Sequence, residues 1–127
     1  MPHDPPPERG FIDLHCHLLA GLDDGPATVE ASLAMCEAAR QAGTGTVVAT
    51  PHANHRFPFD AARATARRQE LTAQLDGAMT VLAGSEVELS LEALPEALRA
   101  PRQYTLNGSR YLLVELMPAG LSPHLDL

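Results

Sequence analysis

The sequence predicts an α/β fold assembled from parallel strand–helix units, on three observations. Short apolar runs of strand length alternate along the chain with segments of helical period. One of these runs, "TGTVVATPH", is continuous enough to be a strand buried on both faces. Polar side chains able to hold a metal recur at the ends of the runs, where folds of this class gather their chemistry. At 127 residues with 45% apolar composition, the chain has room for one modest domain with its own core.

The elements follow in order. The opening "MPHDPPPERG" has no apolar segment of the signal-peptide kind, and nowhere do roughly 18 apolar residues run together. A soluble, cytoplasmic protein is expected, with residues 1–10 as a disordered proline-rich tail whose His3 and Asp4 have nothing to hold them to a metal. "GFIDLHCHL" alternates as a strand, with Asp13, His15 and His17 on one face and Ile12, Leu14 and Cys16 on the other. "LDDGPAT" is a turn, and Pro26 suits the first turn of a helix. "TVEASLAMCEAARQAG" sets Val29, Leu33 and Cys36 on one helical stripe and stops at Gly43.

After the buried strand, "HANHRFPF" reads as a loop and "DAARATARRQELTAQLDG" as a second helix, capped by Asp60 and ended by Gly77. "MTVLAGSEVEL" is a third strand. "SLEALPEALRAP" is a short helix that Pro95 and Pro101 are expected to break. An Asn-Gly turn precedes a fourth strand, Tyr111 to Leu116, and "PAGLSPHLDL" carries no clear element.

Charge and composition remove several functions. Acidic residues outnumber basic ones 16 to 9, for a formal charge of -7, and no basic stripe is present, which argues against nucleic acid and anionic membrane as partners. Every basic residue among the nine is arginine. Without lysine there is no Schiff-base chemistry, phosphate-loop lysine or carbamylated-lysine metal bridge. The two cysteines, Cys16 and Cys36, do not suggest a disulfide framework. Cysteine-phosphatase chemistry needs an arginine six residues after the thiolate, and Leu22 and Ala42 occupy those places. A G-x-S-x-G nucleophile elbow and a glycine-rich phosphate cradle are both missing.

What remains is a set of strand-end ligands: His15, His17, Asp24, His52, Glu115 and one of Glu86 and Glu88. His15 and His17, two residues apart, point to the same side of a strand and can share one cation, while Cys16 points away into the packing. Asp13 shares their face and could accept the other N–H of an imidazole. Taken singly, each has a bland reading, as a half-buried histidine or a turn aspartate. Glutamate in an apolar strand is harder to dismiss, because burial is costly unless the carboxylate is paired or coordinated.

The segments "IDLHCHLLAGLDDGPATVEASLAMCEAARQAG", "VVATPH", "AGSEVEL" and "YTLNGSRYLLVEL" together resemble the manganese-dependent protein-tyrosine phosphatases of capsular and exopolysaccharide operons, within the PHP superfamily. The resemblance runs from about Phe11 to Met117 and implies a distorted (β/α)7 TIM-like barrel with a three-metal cluster at the strand C-termini. Residue by residue it puts metal ligands at His15, His17, Asp24, His52, Glu86 and Glu115, with Asp24 or His52 also able to protonate the leaving tyrosyl oxygen. It favours Glu86 over Glu88. It implies manganese, with iron or zinc as alternatives, and a phosphotyrosine protein as substrate, a bacterial tyrosine kinase of polysaccharide export being the expected partner.

The chain departs from that pattern after the fourth strand. It lacks the family's H-P-E-R segment, its late D-x-H pair and its phosphate-holding arginines, and His124 and Asp126 are expected to be tail. Residues 11–127 therefore read as the N-terminal portion of a PHP domain, about four βα units that cannot close a barrel alone. A truncated product, or a fragment completed by a partner chain, is expected. The alternatives are another PHP phosphoesterase of the histidinol-phosphatase kind, or an inactive half-barrel that only binds metal or a partner.

Overall fold

The computed structural model describes residues 10–117. Within them the chain runs β1 (Phe11–Cys16), α1 (Val29–Gln41), β2 (Thr44–Ala49), β3 (His52–Ala53), α2 (Ala61–Leu75), β4 (Thr80–Ala83), β5 (Glu86–Glu88), α3 (Ala93–Arg99), α4 (Pro101–Tyr104), a 3-10 turn (Leu106–Gly108) and β6 (Leu113–Glu115). The strands form two three-stranded sheets, ordered β1-β2-β4 and β3-β5-β6, and every pairing is parallel. The α/β class and the parallel arrangement expected from the alternation are thus present. The expectations for the proline-rich tail, for His3 and Asp4, and for His124 and Asp126 lie outside the described residues. None of the described helices is long and apolar enough to cross a membrane.

Local chemistry sets the boundaries. Thr28 caps α1 by accepting the Ala31 N–H, and Gly43 ends the helix with φ +98°, a conformation that suits glycine. Asp60 accepts the Arg63 N–H at the start of α2. On α1, Leu33 and Cys36 pack with Val47, Ala49, Ala64, Leu71 and Val81 in the main core, while Val29, expected on the same stripe, is not part of that cluster. Val47, Val48, Ala49 and Thr50 are all buried, as a strand covered on both faces requires.

The second expected strand stops at Pro51, as its sequence suggests, but pairing resumes in the segment read as a loop, and the third, expected to be continuous, is broken. The second divides at Thr50–Pro51 into β2 and β3, and the third at Gly84–Ser85 into β4 and β5, so each crosses from one sheet to the other. Pro51 has no N–H for a ladder, which accounts for the first break. At the second, a Cβ on Gly84 would come within 2.9 Å of Val48 and 3.0 Å of Leu106, so only glycine allows that approach. Pro95 does not break its helix, because it lies in the first turn of α3, where no intrahelical N–H bond is needed. Pro101 does mark a boundary, opening α4 as its first residue. The fourth strand is shorter than expected. Tyr111 lies outside β6, with its carbonyl accepting the Leu106 N–H.

Candidate metal centre

The breaks in the strands bring the polar residues together. Thr50, fully buried, accepts the Cys16 N–H on its hydroxyl at 3.0 Å and donates its own N–H to the Cys16 carbonyl at 2.9 Å. This clasp fixes the end of β1 beside the start of β3, and so sets His17 near His52. The Glu86 N–H donates to the Pro51 carbonyl at 2.9 Å, which seats Glu86 beside both. In the β3-β5-β6 sheet, His52 pairs with Glu86, and Glu88 with Glu115.

The six side chains expected to bind metal form one cluster. His15 Nε2 contacts Glu86 Oε2, and lies 3.3 Å from His17 Nε2. His17 Nε2 is 3.7 Å from Glu86 Oε1. His52 Nδ1 sits 3.1 Å from Glu86 Oε1 and 3.4 Å from Glu115 Oε2, and its Nε2 sits 3.3 Å from Asp24 Oδ1. Three donor groups result, each with its ligand atoms within 4.8 Å of one another: His15, His17 and Glu86; His17, Asp24 and His52; His52, Glu86 and Glu115. His17, His52 and Glu86 each belong to two groups, so neighbouring cations would share ligands.

Glu86 is buried, whereas the Asp24 side chain is 59% exposed, so the cluster has a closed floor and an open mouth. His52 Nδ1 is buried and makes no hydrogen bond, despite the two carboxylates beside it. An orphaned imidazole nitrogen facing carboxylate oxygens is what a cation would satisfy, and a mixed set of nitrogen and oxygen donors suits manganese, iron or zinc.

The imidazole partner is a residue that sequence reasoning did not single out. Asp23, its side chain 1% exposed, accepts His17 Nδ1–H at 2.9 Å, the His52 backbone N–H at 3.0 Å and the Gly25 N–H at 2.9 Å. Donation from Nδ1 leaves the His17 Nε2 lone pair facing the cluster. Asp13, expected to hold an imidazole, instead accepts the backbone N–H of His15. Burial alone would push the Asp23 carboxyl up, but its bonds from His17, His52 and Gly25 outweigh that and hold it at about 2. The same hydrogen bond, donated by His17 to Asp23, raises the pKa of His17, against the opposing effect of burial. Phe57 stacks against the His52 ring, centroids 5.8 Å apart, in a loop closed by Asn54 accepting the Phe57 N–H at 2.7 Å.

Two further expectations can be placed. Cys16 packs against the main core and belongs to none of the three donor groups, and burial, with Asp13 and Cys36 nearby, pushes its thiol up to about 11. Glu88 is buried apart from the three donor groups and lies 3.7 Å from His55 Nδ1.

A family model described as "Capsular polysaccharide synthesis, CpsB/CapC" matches residues 11–124. The chain belongs to the CpsB/CapC family. Over 109 residues it is 32% identical to the tyrosine-protein phosphatase YwqE of Bacillus subtilis (strain 168), covering 83% of this chain and 42% of that protein. Over 110 residues it is 31% identical to the tyrosine-protein phosphatase CpsB of Streptococcus pneumoniae, covering 83% and 44%. Among solved structures, a chain from the crystal structures of YwqE from Bacillus subtilis and CpsB from Streptococcus pneumoniae, described as unique metal-dependent tyrosine phosphatases, superposes with a TM-score of 0.73 and 34% identity, covering 84% of this chain and 44% of that one. The chain thus spans less than half the length of these CpsB/CapC relatives.

Proposed function

We propose that the chain carries one side of a metal-dependent phosphatase centre that hydrolyses protein phosphotyrosine, in the control of capsular or exopolysaccharide synthesis. The observation that carries this reading is the convergence of His15, His17, Asp24, His52, Glu86 and Glu115 into three linked donor groups. The metal-dependent tyrosine phosphatases to which the chain is similar support it. Parallel units whose chemistry lies at strand ends also fit part of a PHP-type (β/α)7 barrel, with a partner segment completing the remainder.

In this reading the six residues hold manganese, with iron or zinc as alternatives. A divalent metal there supplies Lewis acidity toward the phosphoryl oxygens and makes water a stronger nucleophile at neutral pH. The protein's own groups do the rest. Glu86, buried and shared between two donor groups, fixes the spacing of the ligands. Asp23 keeps His17 in the tautomer whose Nε2 faces the centre. Asp24, exposed at the mouth with His52 Nε2 at 3.3 Å, is placed to meet a leaving tyrosyl oxygen, and either group can deliver its proton. The substrate is a phosphotyrosine protein, a bacterial tyrosine kinase of polysaccharide export being the expected one, and the setting is the cytoplasm.

Turnover of 4-nitrophenyl phosphate, measured with and without added manganese, tests the proposal. Activity that rises with manganese, falls with a chelator and drops by about two orders of magnitude or more in Glu86→Gln is expected. Turnover indifferent to chelator and to Glu86→Gln would refute it. Faster hydrolysis of a small alkyl phosphate than of the aryl ester would favour a histidinol-phosphatase-like activity instead.

A further inference from the structure

A cavity of ≈ 350 Å³ begins one residue along the chain from the metal centre and shares none of its ligands. One wall is the segment after β3, where Ala53 and Asn54 follow the ligand His52, and the other is the start of α3, the helix after β5. Both walls follow the C-terminal end of a strand, as does Asp24 at the mouth of the centre. Parallel α/β folds hold their substrates on that side.

The floor of the cavity is apolar and its rim is acidic. Ala53, Ala93, Phe59 and Tyr104 belong to the second core around Val87, with the two aromatic rings 4.8 Å apart between centroids at 51°. Glu92 and Glu96 line the rim and no arginine does, although the chain has nine basic residues, all arginine. Burial first, and Glu96 second, raise the Tyr104 phenol above its ordinary value, so that carboxylate stands close to the ring. A third carboxylate lies behind His55, another lining residue. Glu88, its side chain 10% exposed, has His55 Nδ1 at 3.7 Å as its ionic partner among the described residues, beyond hydrogen-bonding distance. A glutamate so buried is costly unless a cation compensates it.

That combination selects a ligand. Lysine and arginine carry a cationic head on a methylene stem, and the stem lies on apolar or aromatic surface while the head meets carboxylates or the face of a ring. An anionic side chain would be repelled by the rim, and a neutral one would gain nothing from it. The volume falls within the range of about 300–1,000 Å³ usual for binding pockets.

We propose that this cavity receives an arginine or lysine side chain of the phosphotyrosine protein, so that the chain selects substrates with a basic residue near the phosphotyrosine. The assignment rests on the phosphatase reading. The cavity binds and positions, and no bond changes in it.

NMR of the amide groups of the full chain in chelator, titrated with N-acetylarginine amide and separately with its neutral isostere N-acetylcitrulline amide, tests the cavity without any turnover. Saturable shifts at Ala53, Asn54 and Ala93 are expected, with the arginine ligand binding about tenfold more tightly than the citrulline one. That preference should disappear when Glu92→Gln and Glu96→Gln are combined. Both glutamates are exposed, and Glu92→Gln alone serves if the double variant fails to fold. Equal binding of the two ligands, no saturable shift at these amides, or a preference that survives the substitutions would overturn the proposal. With manganese, phosphotyrosine peptides carrying arginine at successive positions should show a lower KM than their citrulline counterparts at one of them, with kcat unchanged. Hydrolysis of none of the peptides would count against the phosphatase reading and leave the titration to decide the cavity. Hydrolysis indifferent to arginine at every position would overturn the substrate assignment.

Discussion

Asp23 and Asp24 are neighbours in one turn with opposite tasks. Asp24 is exposed and faces His52, whereas Asp23 is buried and ties together His17, the turn at Gly25 and the start of β3. Those bonds hold the Asp23 carboxyl at about 2 in the folded chain, below the ordinary aspartate value of about 3.9. A depressed carboxyl contributes stability that is complete above its unfolded pKa and is lost as pH falls through the folded one. For this buried group the contribution is about 2 kcal/mol. Asp23→Asn should therefore lower the urea stability of the chelator-treated protein by about that amount at neutral pH, and flatten its decline between roughly pH 4 and pH 2. It should also weaken manganese binding about 10- to 100-fold, because His17 loses the group that orients it. An unchanged acid profile would show that Asp23 does not hold this network together. Five of the six cluster residues were legible because ionisable side chains at strand ends need a reason to be there, while Glu86 was preferred to Glu88 on the family resemblance. The orienting role of Asp23 was not legible, since adjacent turn residues differ only once the fold has buried one of them.

The elements were legible where local chemistry decides them. Gly43 and Asp60 end and cap their helices as expected, whereas Pro26, expected in the first turn of α1, lies before the Thr28 cap. The break at Gly84–Ser85, and the resumption of pairing at His52–Ala53 after the stop at Pro51, were not legible, because they depend on which sheet each half-strand joins, a long-range choice that periodicity does not encode. The turn carrying Asp23 depends on close approach at Gly25, where a Cβ would lie 2.6 Å from the His17 carbonyl oxygen and 3.0 Å from Asp23 Oδ1. Gly25→Ala must push the turn off His17, at a cost of about 1–3 kcal/mol. Thermal unfolding and manganese titration should report a lower midpoint and weaker binding together. A variant as stable and as tightly binding as the parent would show that the turn yields without disturbing the site.

Over the whole molecule, the exposed edges stand out. Among the described strands β1 pairs only with β2 and β6 only with β5, so each leaves one edge open. On β1, Phe11 is 61%, Ile12 64% and Leu14 54% exposed, Ile12 and Leu14 lying on the face expected to turn away from the histidines. Parallel sheets are normally covered on both faces, and an open apolar edge invites pairing with another chain. Replacing Ile12 and Leu14 together by threonine should reduce self-association in analytical ultracentrifugation while leaving manganese binding intact. Association that persists would place the contact elsewhere.

The central claim is that six side chains drawn from four successive strand–helix units form one multinuclear metal centre. Equilibrium dialysis of the chelator-stripped chain against manganese tests it most directly. More than one ion bound per chain, with fewer in Glu86→Gln and in His52→Ala, is the predicted result. No bound manganese, or a stoichiometry indifferent to both substitutions, would contradict it.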